Sequence, residues 1–179
     1  MRRAFAGFVF GVTAVTACRT HDPLPPTRAA IPRFVDYAVS ETYQGPAALP
    51  DLRSDPEAPR FRTVLVQGSR RGPNFAGHYT VVTWGCGSPC HSFAIVDART
   101  GRVYMVPFST MEGAEFHLTS ALFVAEPPAA VREACTYAWM KVLCEGVTPH
   151  SYYYRWDGER LVLIDSVAVD SLPAPQPKQ

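Results

Sequence analysis

The chain has 179 residues, with 17 lysines and arginines against 16 aspartates and glutamates, which gives a formal net charge of +1 at pH 7. This length suits one domain with a sizeable hydrophobic core, and we expect no second domain. Because the charge is balanced and no basic cluster is longer than Arg70-Arg71, we expect no nucleic acid among its partners.

A secretory signal peptide is predicted at residues 1–17. Arg2 and Arg3 precede an apolar run over residues 4–17, which is too short to cross a bilayer as a helix. The run ends in small residues before Cys18, a context that resembles a bacterial lipoprotein box. We therefore predict an exported protein of the bacterial periplasm or outer membrane, held to the membrane by lipid on Cys18. Cleavage without lipid attachment is the alternative.

Proline-rich segments flank the expected globular part. Residues 18–32 are predicted to be an extended, semi-rigid tether, and residues 172–179, with three prolines, a disordered tail. Between them we expect a single α+β domain at residues 33–171. A first strand is predicted around residues 34–39. A short helix is predicted over residues 56–67, from a proline in its first turn and apolar residues at helical spacing.

The strongest local signals lie between residues 72 and 106. Residues 78–84 and 93–97 have the β-branched and aromatic residues of half-buried strands, and residues 102–106 continue the pattern. Gly101 can supply the positive φ that a tight hairpin turn between the last two strands requires. The stretch therefore predicts a three-stranded antiparallel meander.

A cysteine loop is predicted between the first two strands of this meander. Cys86 and Cys90 bracket Gly87, Ser88 and Pro89, and an exported protein favours oxidised sulfur at such positions. A disulfide between the two cysteines would fix the shape of a loop that the glycine and proline already restrict.

Two further cysteines, Cys135 and Cys144, are expected to pair with each other. Pairing of these two with Cys86 and Cys90 remains open, since four cysteines allow three connectivities. If Cys18 carries lipid, the remaining four cysteines can all form disulfides.

A metal site at the cysteine loop is an alternative reading of the same residues. Cys86, Cys90, His91 and His78 are ligand types, but the spacing of the other cysteines does not match a zinc motif. Three residues separate Cys86 from Cys90, which departs from the haem-attachment and thioredoxin patterns. We predict no metal and no cofactor.

The candidate binding residues belong to the cysteine loop and to the strands on either side of it. In a meander, Asn74, His78, Ser88 and His91 are expected to lie together near one end of the sheet. The predicted binding residues are Asn74, His78, Trp84, Gly87, Ser88, Pro89 and His91.

The rest of the chain predicts a loop, a strand, a helix and a second hairpin. Residues 111–117 have loop-like composition, residues 121–124 predict a buried strand, and residues 129–134 predict one or two helical turns. Residues 151–156 and 159–165 predict a hairpin around an Asp-Gly turn. The expected fold class is α+β, with an antiparallel sheet of roughly five to seven strands and one or two short helices on a face.

Two stretches carry a resemblance to other proteins. NFAGHYTVVTWGCGSPCHSFAIVDARTGRVY, residues 74–104, resembles a core of an uncharacterised family of small exported bacterial proteins, and YYYRWDGERLVLI resembles their closing hairpin. The resemblance implies export and no particular activity. A cysteine-closed loop between strands is also faintly similar to the inhibitor of vertebrate-type lysozyme. In that family the loop enters the enzyme's cleft and presents a histidine, whereas His91 here follows the second cysteine.

The leading functional hypothesis is a non-enzymatic envelope protein that binds an envelope or host protein or glycan through the cysteine loop. A hydrolase that uses His78 or His91 with Ser88, Ser92 or Asp97 is one alternative, although no G-x-S-x-G or H-E-x-x-H motif is present. A metal-binding periplasmic protein is the other.

Overall fold

The computed structural model describes residues 30–172, except the side chain of Leu143. The predicted signal peptide, Cys18, most of the tether and all but the first residue of the tail lie outside these described residues. Within them, no helix is long and apolar enough to span a membrane.

The described chain contains seven strands, which pair in antiparallel fashion. The strands are β1 (Tyr79–Gly87), β2 (Cys90–Asp97), β3 (Val103–Met105), β4 (Ala114–Phe116), β5 (Leu122–Ala125), β6 (His150–Trp156) and β7 (Leu161–Ala168). They form a three-stranded sheet of order β1-β2-β3 and a four-stranded sheet of order β4-β5-β6-β7. The α-helices are α1 (Arg62–Ser69), α2 (Pro128–Ala134) and α3 (Ala138–Gly146), and short 3-10 turns occur at Phe34–Tyr37, Ala58–Phe61 and Val169–Ser171. The α+β class and the antiparallel strands are confirmed, with the strands divided between two sheets.

Aromatic side chains fill the core where the two sheets meet. Tyr79, Val81 and Phe93 come from the first sheet, and Phe123 and Trp156 come from the second. The rings of Phe93 and Phe123 meet edge to face, with centroids 5.5 Å apart. Because strand side chains alternate between faces, Tyr79 and Val81 of β1 enter this core, whereas Thr80 and Val82 face away from it.

The other face of each sheet is covered by a different segment. Leu65 of α1 packs on Val82 and Val96 of the first sheet. On the second sheet, Leu122 and Val124 pack with residues that include those of the first 3-10 turn. The molecule is therefore layered, with the two sheets face to face and short helical segments on the outside.

The predicted hairpin turns are confirmed. Gly101 has φ of +80°, and its N–H donates to the carbonyl of Asp97 over 2.8 Å. A Cβ at Gly101 would overlap the backbone oxygen of Leu49, so this turn requires glycine. The second hairpin joins β6 and β7, with Gly158 at φ +103°.

Three local predictions differ from the structure. The first strand predicted at residues 34–39 is wrong, since Phe34–Tyr37 is a 3-10 turn closed by Asp36, which accepts the backbone N–H of Arg33. The loop predicted at residues 111–117 contains β4, which forms because β5 pairs with it. The helix α3 was not predicted at all, and the helix predicted at residues 56–67 comprises a 3-10 turn followed by α1.

Candidate functional site

The cysteine loop is the tip of a long hairpin rather than a loop between two separate strands. β1 ends at Gly87, one residue after Cys86, and β2 begins at Cys90 itself. Only Ser88 and Pro89, joined by a cis peptide bond, connect the two strands. Cys86 and Cys90 form a disulfide with Cα atoms 5.0 Å apart. We call residues 85–91 the hairpin tip.

The second predicted disulfide, between Cys135 and Cys144, is also confirmed, with Cα atoms 5.9 Å apart. It spans α3 and ties the end of that helix to the residue that follows α2. The pairing of each cysteine with its neighbour in sequence therefore excludes the cross-pairs that the sequence left open.

The backbone of the hairpin tip is irregular and exposed. The ladder between β1 and β2 shifts register between Gly85 and Gly87, and Gly87 has φ of +138°, which side-chain-bearing residues rarely adopt. Gly85, Cys86, Gly87 and Ser88 are all exposed. The tip therefore presents backbone and a small hydroxyl to solvent, on a frame closed by the disulfide.

His91 fastens the hairpin tip to the following loop. Its N–H donates to the carbonyl of Thr110 over 2.8 Å, and the N–H of Thr110 returns a bond of 3.0 Å. The His91 Nδ1 lies 3.1 Å from the carbonyl oxygen of Met111, so Nδ1 must carry a proton to donate there. His91 thus supports the tip through Thr110 and Met111, whereas the lysozyme-inhibitor likeness implies a histidine presented by the loop.

A groove of about 590 Å³ lies beside the hairpin tip. Trp84, Ser92 and Met105, which share the α1 side of the first sheet, line it together with Phe61 and Phe108. The rings of Trp84 and Phe61 pack with centroids 4.8 Å apart. Trp84, predicted as a binding residue, therefore lines a groove beside the hairpin tip.

The outer edge of β1 is blocked at one point and open at the next. The N–H of Val81 donates to Asn74 Oδ1 over 2.7 Å, and Asn74 Nδ2 donates to the carbonyl of Val81 over 3.2 Å. Alternate residues of a ladder point their backbone groups to the same side, so those of Thr83 and Gly85 also point outward. β1 pairs with β2 alone, and within residues 30–172 no group bonds to the outward N–H or C=O of Thr83 or Gly85.

Replacing Asn74 by alanine should lower stability rather than remove a binding contact. The change deletes both bonds to Val81, each worth about 1 kcal/mol net, so we expect the free energy of unfolding to fall by about 1 to 2 kcal/mol. Asn74→Asp keeps the acceptor for the Val81 N–H but places a carboxylate oxygen against the Val81 carbonyl, so it should also lose stability. Urea denaturation measures both, and equal stability of Asn74→Ala and the wild type would contradict this role.

The expected grouping of Asn74, His78, Ser88 and His91 at one sheet end is wrong. Tyr79, next to His78, pairs with Asp97, whereas His91 pairs with Gly85 near the tip. These two pairs are six positions apart in β1, which separates the two histidines by roughly 20 Å. A period-two pattern identifies strands, but it does not show how far they extend before they turn.

His78 lies at the base of the hairpin, far from the tip. Its ring packs on that of Tyr79, with centroids 4.1 Å apart. Partial burial lowers the pKa of His78, the charge of Arg99 lowers it further, and Asp97 opposes both effects. His78 is thus favoured in its neutral form at this end of the hairpin.

The described residues do not form the site that either alternative function, hydrolase or metal-binding protein, would need. Among the described residues, no histidine bonds to a serine or aspartate side chain, as a hydrolytic pair requires. The sulfurs of Cys86 and Cys90 are bonded to each other and are not free thiolates. No group of three or more histidine, cysteine, aspartate or glutamate side chains in residues 30–172 could hold a metal ion.

A second concave site was not indicated by any motif. It is a cavity of about 330 Å³ between α2, α3 and the start of β6, and it includes Glu112, Met140 and His150. Its walls come from three segments that are distant in sequence, so no local pattern could have identified it.

The hairpin tip, the groove and the open edge of β1 form one continuous surface. Trp84 joins them, because its side chain lines the groove while its neighbours Thr83 and Gly85 form the open edge. Such a surface can bind an extended chain through backbone hydrogen bonds and apolar contacts. Comparison of this protein with protein-family models, with curated proteins and with solved structures finds no match in any of the three.

Proposed function

We propose that this chain is an exported envelope binding protein, lipid-anchored at Cys18, that recognises an extended segment of a partner protein at the hairpin tip. The basic and apolar start of the sequence and the cysteine at its end support export and anchoring. Two disulfides support an oxidising compartment such as the bacterial periplasm or outer membrane.

The open edge of β1 is the observation that carries the proposal. Unpaired backbone groups on an edge strand are a template for an added strand, and folded proteins usually block them. On β3, the opposite edge of the first sheet, two outward N–H groups are capped by side chains. Ser54 Oγ accepts the N–H of Val103 over 2.8 Å, and Asp55 Oδ2 accepts the N–H of Met105 over 3.1 Å. Thr83 has no such partner in the described chain, and it lies beside the tip.

The frame around this edge is already ordered, which favours binding. The disulfide and the contacts of His91 hold the hairpin tip, so little conformational freedom is lost when a partner docks. An added strand would place every second side chain on the α1 side of the sheet, against Trp84. A glycan could contact the tryptophan, but only a polypeptide can pair with both outward groups of Thr83 in a ladder.

Replacing Thr83 by proline tests the edge. Proline removes the outward N–H of residue 83 without removing a hydrogen bond to β2. Edge strands tolerate proline at positions whose N–H points away from the sheet. We expect a linear peptide selected from a phage-displayed library on the wild-type protein to bind Thr83→Pro about tenfold more weakly or worse. Thr83→Ala keeps the N–H and should bind within about twofold.

Two further measurements keep this test independent of folding defects in the proline variant. In the first, the peptide is N-methylated at every second residue, and binding should weaken for only one of the two alternating sets of residues. In the second, peptide binding should slow amide hydrogen exchange at Thr83 and Gly85. Selection that yields no peptide, a proline variant that binds normally, or a glycan array that yields the ligand instead would overturn the proposal.

A further inference from the structure

The cavity beneath α3 has apolar walls contributed by several elements. Val131 of α2 and Met140 of α3 form one side, and Val147 and Pro149, which precede β6, form another. Its volume of about 330 Å³ is within the range of small-molecule sites. This cavity takes no part in the surface proposed above for the partner protein.

Two glutamates among the described residues line this cavity, and their carboxylates differ in hydrogen bonding. The carboxylate of Glu126 accepts the N–H of Met111 over 2.5 Å and the N–H of Glu112 over 2.9 Å. The carboxylate of Glu112 makes no hydrogen bond and no ion pair within residues 30–172, although Glu112 is partly buried. A carboxylate that is withdrawn from water without a partner is destabilised, and a ligand can supply the missing partner.

The electrostatic surroundings of Glu112 favour a positive group. Burial raises the pKa of Glu112, the nearby carboxylates of Glu126 and Glu133 raise it further, and His91 opposes them. Among residues 30–172, no lysine or arginine lines the cavity, and Nδ1 of the lining residue His150 faces the carbonyl of Thr148 at 2.9 Å. The cavity thus combines an apolar wall with an uncompensated acidic group.

We propose that this cavity binds a small aliphatic primary amine, whose ammonium group pairs with Glu112 while its hydrocarbon chain lies against Val131, Met140 and Val147. A carboxylate ligand would meet two glutamates of the same charge, and a neutral alcohol would leave the charge of Glu112 uncompensated. An ammonium ion satisfies Glu112 with a charge-assisted hydrogen bond, which is stronger than a bond between neutral groups. The apolar walls then add affinity in proportion to the chain they bury.

Three probes of the same chain length separate these possibilities, namely n-hexylamine, n-hexanol and n-hexanoate. Titration of the isotope-labelled mature protein with each, followed by amide chemical shifts at pH 7, should show tightest binding for the amine. In Glu112→Gln the affinity for hexylamine should fall about tenfold or more, whereas hexanol should bind within about twofold of its wild-type affinity. Shifts should centre on the residues around Glu112, Val131 and Val147.

Two control variants make the result specific. Glu145→Gln alters an exposed glutamate of α3 that lies 3.8 Å from Lys141 and does not line the cavity, so it should leave hexylamine binding unchanged. Val147→Trp fills the mouth from a side chain that is 69% exposed, so it should weaken all three probes without disturbing the core. Equal binding of the three probes, preference for hexanoate, no binding at all, or full hexylamine affinity in Glu112→Gln would overturn the proposal.

Discussion

Replacing Phe123 by alanine is expected to lower the free energy of unfolding by about 3 to 5 kcal/mol, the largest effect of any change considered for this protein. Phe123 is fully buried where the two sheets meet. Its ring contacts those of Phe93, Phe75 and Phe116, with centroids 5.5 to 6.2 Å apart. Alanine would leave a cavity that residues from both sheets cannot fill without moving apart.

Urea denaturation followed by tryptophan fluorescence measures this loss, because Trp156 belongs to the same core. Leu163→Ala is the matched control, since Leu163 lies on β7 in the second sheet but is 52% exposed, and it should change stability by less than about 0.5 kcal/mol. If Phe123→Ala lost no more than Leu163→Ala, the two sheets would not share a core, and the layered fold described above would be wrong.

Local patterns in the sequence predicted the strands around the hairpin tip and both disulfides. The β-branched and aromatic residues from Thr80 to Trp84 indicate a strand directly, although Thr80 to Val82 are buried on both faces and not on one. Gly101 indicates the turn that needs its positive φ. Cysteine content and the expected compartment favoured oxidation of Cys86 and Cys90. These signals depend only on residues close together in the chain.

The features that sequence did not predict depend on residues far apart in the chain. β4 forms because Ala114 pairs with Ala125, and the division into two sheets follows from which faces meet around Phe123. The role of Asn74 is a further example, since a turn residue and an edge-capping amide look alike in sequence and only the position of Val81 distinguishes them. The cavity beside Glu112 is likewise assembled from distant segments.

Side-chain caps in the first sheet also explain why the open edge of β1 at Thr83 is the position proposed to bind a partner. Asn74, Ser54 and Asp55 each satisfy a backbone group that would otherwise lie open on an edge. Thr83 comes two residues after the capped Val81 and has no such cap among the described residues. The open position lies next to the capped Val81 of β1, and two N–H groups are capped on β3, the opposite edge of the sheet. Such an edge favours binding, because capping elsewhere already limits unspecific strand pairing.

The two disulfides should differ in what they hold, and the double variant Cys135→Ser/Cys144→Ser should show it. Of the α3 side chains that the structure describes, Met140 alone is buried, whereas Trp139 and Val142 are 57% and 71% exposed. With so little packing, the helix depends on its cross-link, and a helix of this length is unstable alone. The free energy of opening α3, measured by amide hydrogen exchange, should fall by about 3 kcal/mol, as expected for a ring of this size.

The matched variant Cys86→Ser/Cys90→Ser should behave differently, because β1 and β2 stay paired through the register from Tyr79 to Gly85 whether or not the tip is cross-linked. We expect exchange to quicken at the tip alone, while the amides of both strands remain protected. Loss of α3 should also abolish hexylamine binding, since Met140 and Cys144 line that cavity, whereas loss of the tip disulfide should leave it intact. Unchanged protection of α3 without its disulfide would show that packing on α2 and β6 suffices to hold the helix, contrary to the burial of its side chains.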